Sequence, residues 1–303
     1  MESILKTPIL VAALTLFACA CAAAQPSNTL TKIKEKNEIA LGVKETALPF
    51  SYLIDSHQVA GYSVDVCLKV VESLKTTLGL PNLKVKMVQV ASSNRIPLMA
   101  NGTIDLECGT TSNTIERQKQ VAFSSTIFVS STRFVSKKSA GLNDLSALAN
   151  KAVVATAGSS NIRQITALNA TRQYAMRIAP VRDFAEGFLM METDRAAAFF
   201  LDDITLSGLV ANSKTPDAFV ISKEPLSVEP YALMMRKDDP AFKAQVDDAL
   251  RTIFADGTIK DIYAKWFESA IPPKGVNLHV PMSPALQRVI AHPTDSAQPA
   301  AYQ

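Results

Sequence analysis

Short apolar segments alternate with segments of helical period along nearly the whole chain, and this alternation leaves few folds open. Strand character at 38–43 is followed by Val64, Cys67, Leu68, Val71 and Leu74 at helical spacing within 63–77. A strand at 83–90, a helix at 95–101 closed by Gly102, and a buried strand at 103–108 complete one round. Connections of this length suit parallel strands, whose carboxyl ends then gather at one edge where ligands bind. The β-favouring run 127–135 leads into a second round. It comprises a helix at 145–148, a strand at 152–155, a helix at 159–168, a strand at 174–178, a helix at 183–193 and a strand at 196–201. Strands at 219–222 and 227–235 precede amphipathic helices at 239–256 and 258–267, the second carrying Trp266, which return to the first unit. An α/β fold of two lobes is therefore expected: 28–134 plus 231–275, and 135–230, with crossings near 133–138 and 225–231. The tail 276–303 ends in Pro, Ala and Gln residues that read as disordered.

A chain of 303 residues, 48% of them apolar, can bury the cores of two such lobes. The formal charge of +3 is spread without a basic block, so no nucleic-acid or anionic-membrane partner is expected. At the N-terminus Lys6 precedes an apolar run at 9–18 and then CACAAA, which reads as a signal peptide, 1–24, cleaved after Ala24. The apolar run is too short for a span of about 20 residues. Leu16-Phe17-Ala18-Cys19 partly fits a lipidation site, with bulky Phe17 against it, so a lipid anchor is the alternative. After cleavage Cys67 and Cys108 remain, and both a disulfide and two buried thiols stay open. His57, His279 and His292 lie away from the polar turns at the strand ends, so neither a His-based triad, a metal nor a cofactor is expected.

The functional stretch is DLECGTTSNTIERQKQVAFSSTIF, residues 105–128. Its strand ends in Thr110, Thr111, Ser112 and Asn113, and Thr114 opens a helical turn that brings Arg117 to the same place. Hydroxyls and free N–H groups beside a guanidinium can hold a carboxylate bidentately. A capped surface helix with Arg117 paired to Glu116 is the competing reading. Ser92 and Arg95 follow the strand before it, and Lys44 and Tyr52 lie in the loop after the first strand. In the second round Ser159 and Ser160 open a helix, whose dipole favours an anion. Asp202 ends a strand, either aimed at a ligand ammonium or capping the next helix.

This stretch resembles the solute-binding proteins of polar amino-acid ABC transporters, and most the glutamate/aspartate branch, through Asp105 with Gly109 at the strand end and Glu116, Arg117, Phe123 and Ser124. PFSY at 49–52, GYSVD at 61–65, SSNRIPLMANGTIDLECG at 92–109, AFFLDD at 198–203, RKDDP at 236–240 and KWFESAIPPK at 265–274 extend the likeness in order. The resemblance implies the type II periplasmic binding protein fold, a periplasmic monomer without enzymatic activity, and membrane permease subunits as partners. It also implies an amino acid held between the lobes: Arg117, Thr110, Ser112, Ser159 and Ser160 on its α-carboxylate, and Asp202 on its ammonium. Ser92 and Arg95 match the branch's distal cation site, whereas Lys44 stands where Arg is usual and Phe184 where His is usual. Cyclohexadienyl dehydratases share the fold, which makes an enzyme the alternative; no dehydratase pattern is found.

Overall fold

The computed structural model describes residues 28–303; the expected signal peptide with Cys19 and Cys21 lies outside them. After α1 (Thr29–Lys36) the chain enters β1 (Glu38–Val43), then the small antiparallel β2 (Thr46–Ala47), β3 (Ser51–Leu53) and β4 (Val59–Ala60). Helix α2 (Tyr62–Leu78), β5 (Lys84–Gln89), α3 (Arg95–Ala100), β6 (Leu106–Glu107), α4 (Ile115–Gln118) and β7 (Val121–Ser130) follow. The next unit holds β8 (Thr132–Lys137), β9 (Ala152–Thr156), α5 (Ser160–Arg172), β10 (Arg177–Val181), α6 (Phe184–Glu192), β11 (Ala198–Asp202), α7 (Asp203–Asn212) and β12 (Phe219–Ile221). Strand β13 (Glu229–Arg236), α8 (Pro240–Ala255), α9 (Thr258–Tyr263) and α10 (Pro284–Ala291) complete the chain.

Two five-stranded sheets result, ordered β5-β1-β6-β13-β7 and β10-β9-β11-β8-β12. Strands β5, β1 and β6 are parallel to one another, as are β10, β9 and β11. The remaining strands pair antiparallel. Strand β1 reads EIALGV because it runs between two neighbours beneath helices: every residue after Glu38 is buried. Strand β13 is buried along its whole length. Buried Asp105 locks the first lobe by accepting hydrogen bonds from Lys32, Arg236 and the Ala40 N–H at 2.8, 2.7 and 3.0 Å. That shared acid of the family-like motif is thus scaffolding.

The chain crosses from the first sheet to the second between Ser130 and Thr132 and returns between Ile221 and Glu229. Asp203, at the start of α7, fastens the first crossing, accepting from the hydroxyls of Ser130 and Ser131, each at 2.6 Å. The second crossing is tied alongside by Leu226 N–H to Thr132 O at 2.9 Å.

Residues beyond Ile290 were expected to lack structure, and here the fold differs. Strand β7 is a sheet edge with unpaired backbone groups, and the tail covers it: Thr126 N–H donates to Thr294 O at 2.8 Å. Tyr302 is buried, its hydroxyl 2.8 Å from Thr126 Oγ1 and donating to Ser296 O at 2.6 Å.

Cys67 on α2 and Cys108 after β6 form a disulfide across 41 residues of sequence. Closing a loop of that length stabilises by roughly 2–4 kcal/mol, mainly by restricting the unfolded chain. The paired Cys67→Ala, Cys108→Ala variant should lose about that much in a urea melt, and reductant should no longer change its midpoint. A loss below about 0.5 kcal/mol contradicts this reading.

Candidate functional site

Six parallel strands deliver the site, because each carboxyl end faces the gap between the lobes. Strands β1, β5 and β6 lead to Lys44, to Ser92 and Arg95, and to Thr110 and Arg117; β9, β10 and β11 lead to Ser159, Ser160 and Asn161, to Phe184, and to Leu201 and Asp202. These residues line a cavity of about 10 Å³. All are buried, so the lobes are closed over it. One close approach of the lobes runs through Gly158. Its φ of +75° turns β9 into α5, and a Cβ there would lie 2.7 Å from both Ser92 O and Ser93 Cα of the opposite lobe.

Three cations meet in this closed space. Lys44 Nζ donates to Ser92 Oγ at 2.9 Å and to Thr110 Oγ1 at 3.4 Å, and stands 4.5 Å from the centre of the Phe184 ring. Burial and then the neighbouring Arg95 hold its pKa well below that of a free lysine. Arg117 is aimed by its own turn: Thr114 caps α4, and Nη1 donates to Ser112 O at 2.8 Å, while Nη2 reaches across to Gly158 O at 3.3 Å. Burial first, then Arg95, brings its pKa down to about 9. Burial lowers Arg95 as well. Neither Arg95 Nε nor Arg117 Nε has a hydrogen-bond partner among the described residues, although both are buried donors.

Opposite them, Asp202 occupies the N-cap position of α7 without making a capping bond. Its carboxylate accepts instead from Tyr231 Oη at 2.5 Å and from Asn161 Nδ2 at 2.6 Å. Burial, with Glu229 nearby, raises its pKa to about 7 against the pull of those two donors. Glu229 is itself held by Ser160 Oγ at 2.8 Å and Ser227 Oγ at 2.7 Å.

Of the residues expected from sequence, Lys44, Ser92, Arg95, Thr110, Arg117, Ser159, Ser160, Phe184 and Asp202 line the one space. Ser112 stands just behind, its hydroxyl 3.5 Å from that of Ser160 and its carbonyl bracing Arg117. Tyr52 departs from expectation. Strand β3 pairs with β2 and β4, and this places the Tyr52 hydroxyl on Pro272 O at 2.7 Å, with the ring edge-on to Trp266. It is a core residue outside the cavity lining. Asn161, of the same anion-favouring Gly-Ser-Ser-Asn turn, lines the cavity too; Leu201, Tyr231 and Glu229 carried no signal within continuous strands.

The chain matches the family described as bacterial extracellular solute-binding proteins, family 3, over residues 39–269. It belongs to that family. Among similar family members, the L-glutamate/L-aspartate-binding protein of Pseudomonas aeruginosa is 47% identical over 296 residues, 97% of each chain. The glutamate/aspartate import solute-binding protein of Escherichia coli (strain K12) is 41% identical over 276 residues, 91% of each. A histidine-bound substrate-binding protein of an ABC uptake transporter from Streptococcus pneumoniae superposes with a TM-score of 0.72 at 22% identity, covering 82% of this chain and 99% of that one. That likeness places the fold among type II periplasmic binding proteins. The family match ends before the tail that covers β7.

Two outcomes are expected of this solute-binding geometry. Gly158→Ala should block closure: small-angle scattering should show little compaction on adding glutamate and affinity should fall at least tenfold, whereas wild-type-like compaction would contradict the contact. The second concerns pH. A ligand ammonium placed on Asp202 would favour its ionised form, whose pKa burial raises to about 7, so such binding would release a proton below that value. The ligand-induced rise in melting temperature should therefore be full above pH 7 and shrink towards pH 5, and Asp202→Asn should remove this dependence. An unchanged rise between pH 5 and pH 8 contradicts the assignment.

Proposed function

We propose that this protein is the substrate-binding subunit of an amino-acid ABC importer, capturing glutamate or aspartate in the periplasm and delivering it to membrane permease subunits. The observation that carries the reading is the convergence of Lys44, Arg95 and Arg117 on one buried space with Asp202 opposite. An acidic amino acid presents two carboxylates and one ammonium, which is the complementary charge pattern. Arg117, with Thr110 and the Ser159–Ser160 start of α5, takes the α-carboxylate, braced by Ser112. Asp202 takes the ammonium, and Arg95 with Lys44 and Ser92 takes the side-chain carboxylate. The names of the 47% and 41% identical relatives support the same ligand class.

Phe184 does not repel the acidic ligand in this reading, because its ring face supports the Lys44 ammonium. Residues 28–134 with 231–275 and residues 135–230 act as two lobes that swing about the paired crossings. The protein works as a monomer whose signal peptide, 1–24, directs export.

The reading is tested by calorimetry on two variants. Arg117→Ala removes the α-carboxylate partner and should cost about 2–5 kcal/mol with every amino acid bound, while the melting temperature of the free protein is kept. Arg95→Met should weaken glutamate far more than glutamine. Equal losses for glutamate and glutamine in the second variant would contradict the distal assignment.

A further inference from the structure

Glu107 is absent from the cavity lining and from the reading above, yet its position is hard to explain as packing alone. It sits in the middle of the first sheet, beside Gly42 of β1 and Met234 of β13, and is fully buried. Neither carboxylate oxygen has a hydrogen-bond partner among the described residues. A buried carboxylate in that condition is costly unless a cation answers it. Arg95 lies near enough for Glu107 to favour its charged form, and Gly109 shows a second cation at hand. A Cβ there would lie 2.3 Å from Glu107 Oε1 and 3.3 Å from Lys44 Cε, so the acid and the lysine stem flank the same glycine.

We propose that Glu107 is a positioning residue that holds Lys44 in its charged form and so fixes the distal end of the cleft for a carboxylate; this rests on the acidic amino-acid reading. Lys44 faces charge from every element around it. Its own loop supplies Glu45, α3 supplies Arg95, and β6 and α4 supply Glu107 and Arg117. The second lobe supplies Arg182, Asp183 and Asp202. Burial, Arg95 and Arg117 all favour the neutral amine, and Glu107 is the largest influence against them. Lys44, Arg95 and Glu107 all belong to the first lobe, so the arrangement stands before ligand arrives. A neutral amine at Lys44 accepts a hydrogen bond from a carboxamide as readily as it donates one, and selectivity between glutamate and glutamine is then lost.

Because Lys44 must carry its proton to hold a carboxylate, glutamate affinity is present below its pKa and lost as pH rises through it. The direct readout is the ¹³Cε resonance of Lys44 in the ligand-free mature chain, assigned by its disappearance in Lys44→Arg. Glu107→Gln should lower the titration midpoint by about 1–3 pH units, as removal of a close opposite charge does, and Glu107→Asp should restore most of it. The alkaline limb of glutamate binding should move by the same amount. A midpoint shared by wild type and Glu107→Gln overturns the proposal. If Glu107→Gln fails to fold, Glu107→Asp decides: with the carboxylate drawn back by one methylene the Lys44 midpoint should fall part of the way, and a midpoint unmoved from wild type overturns the proposal. These resonances need no ligand, so a wild-type protein that ignores glutamate sinks the ligand assignment while the Lys44 titration still judges Glu107.

Discussion

Burying three cations in one cleft costs several kcal/mol per ion unless opposite charge and hydrogen bonds answer them. Lys44, Arg95 and Arg117 are brought together in that way, and much of the architecture serves to make the assembly tolerable. Ser92 and Thr110 hold the lysine, the Ser112 and Gly158 carbonyls hold one guanidinium, and Phe184 covers the ammonium with its ring. Compensation within the protein is incomplete. Among the described residues the two arginine Nε donors have no partners, and under the proposed function an anion would supply them.

Under the proposed function, the division of charge between the lobes would make closure and binding one event. The cations all project from the first lobe, while Asp202 and the start of α5 belong to the second. A ligand with carboxylates at both ends and an ammonium at one therefore pairs with both lobes at once, and only the closed form satisfies it. A ligand shifts such an equilibrium by its differential affinity for the two forms. Asp203 and its serine partners keep the first crossing in place, while the neighbouring Asp202 faces the cavity, held by Tyr231 and Asn161.

Much of this was legible in the chain. Strand β1 was bounded correctly because its apolar run is continuous and ends at a polar loop, and α2 because its apolar positions repeat with helical period. The polar turns after parallel strands announced most of the cavity-lining residues, since the fold fixes where strand ends go, and Lys44 and Phe184 came from the family resemblance. Tyr52 was misjudged because position in a loop near the site says nothing of direction, and β3 pairing sends its hydroxyl to Pro272. The tail looked disordered by composition, but an edge strand in need of partners overrode composition at Thr294 and Tyr302. Glu107 and Glu229 were invisible for a different reason. An acid inside an apolar strand has no sequence signature of its purpose until its neighbours are known.

The central claim is that the cleft is built for a second carboxylate. Isothermal titration of ligand-freed wild-type protein with glutamate and glutamine at pH 7.5 addresses it directly. The neutral amide leaves a buried cation without its partner, an omission worth about 2–5 kcal/mol. Glutamate should therefore bind at least thirtyfold more tightly than glutamine. Equal affinities, or a preference for glutamine or a basic amino acid, would contradict the account.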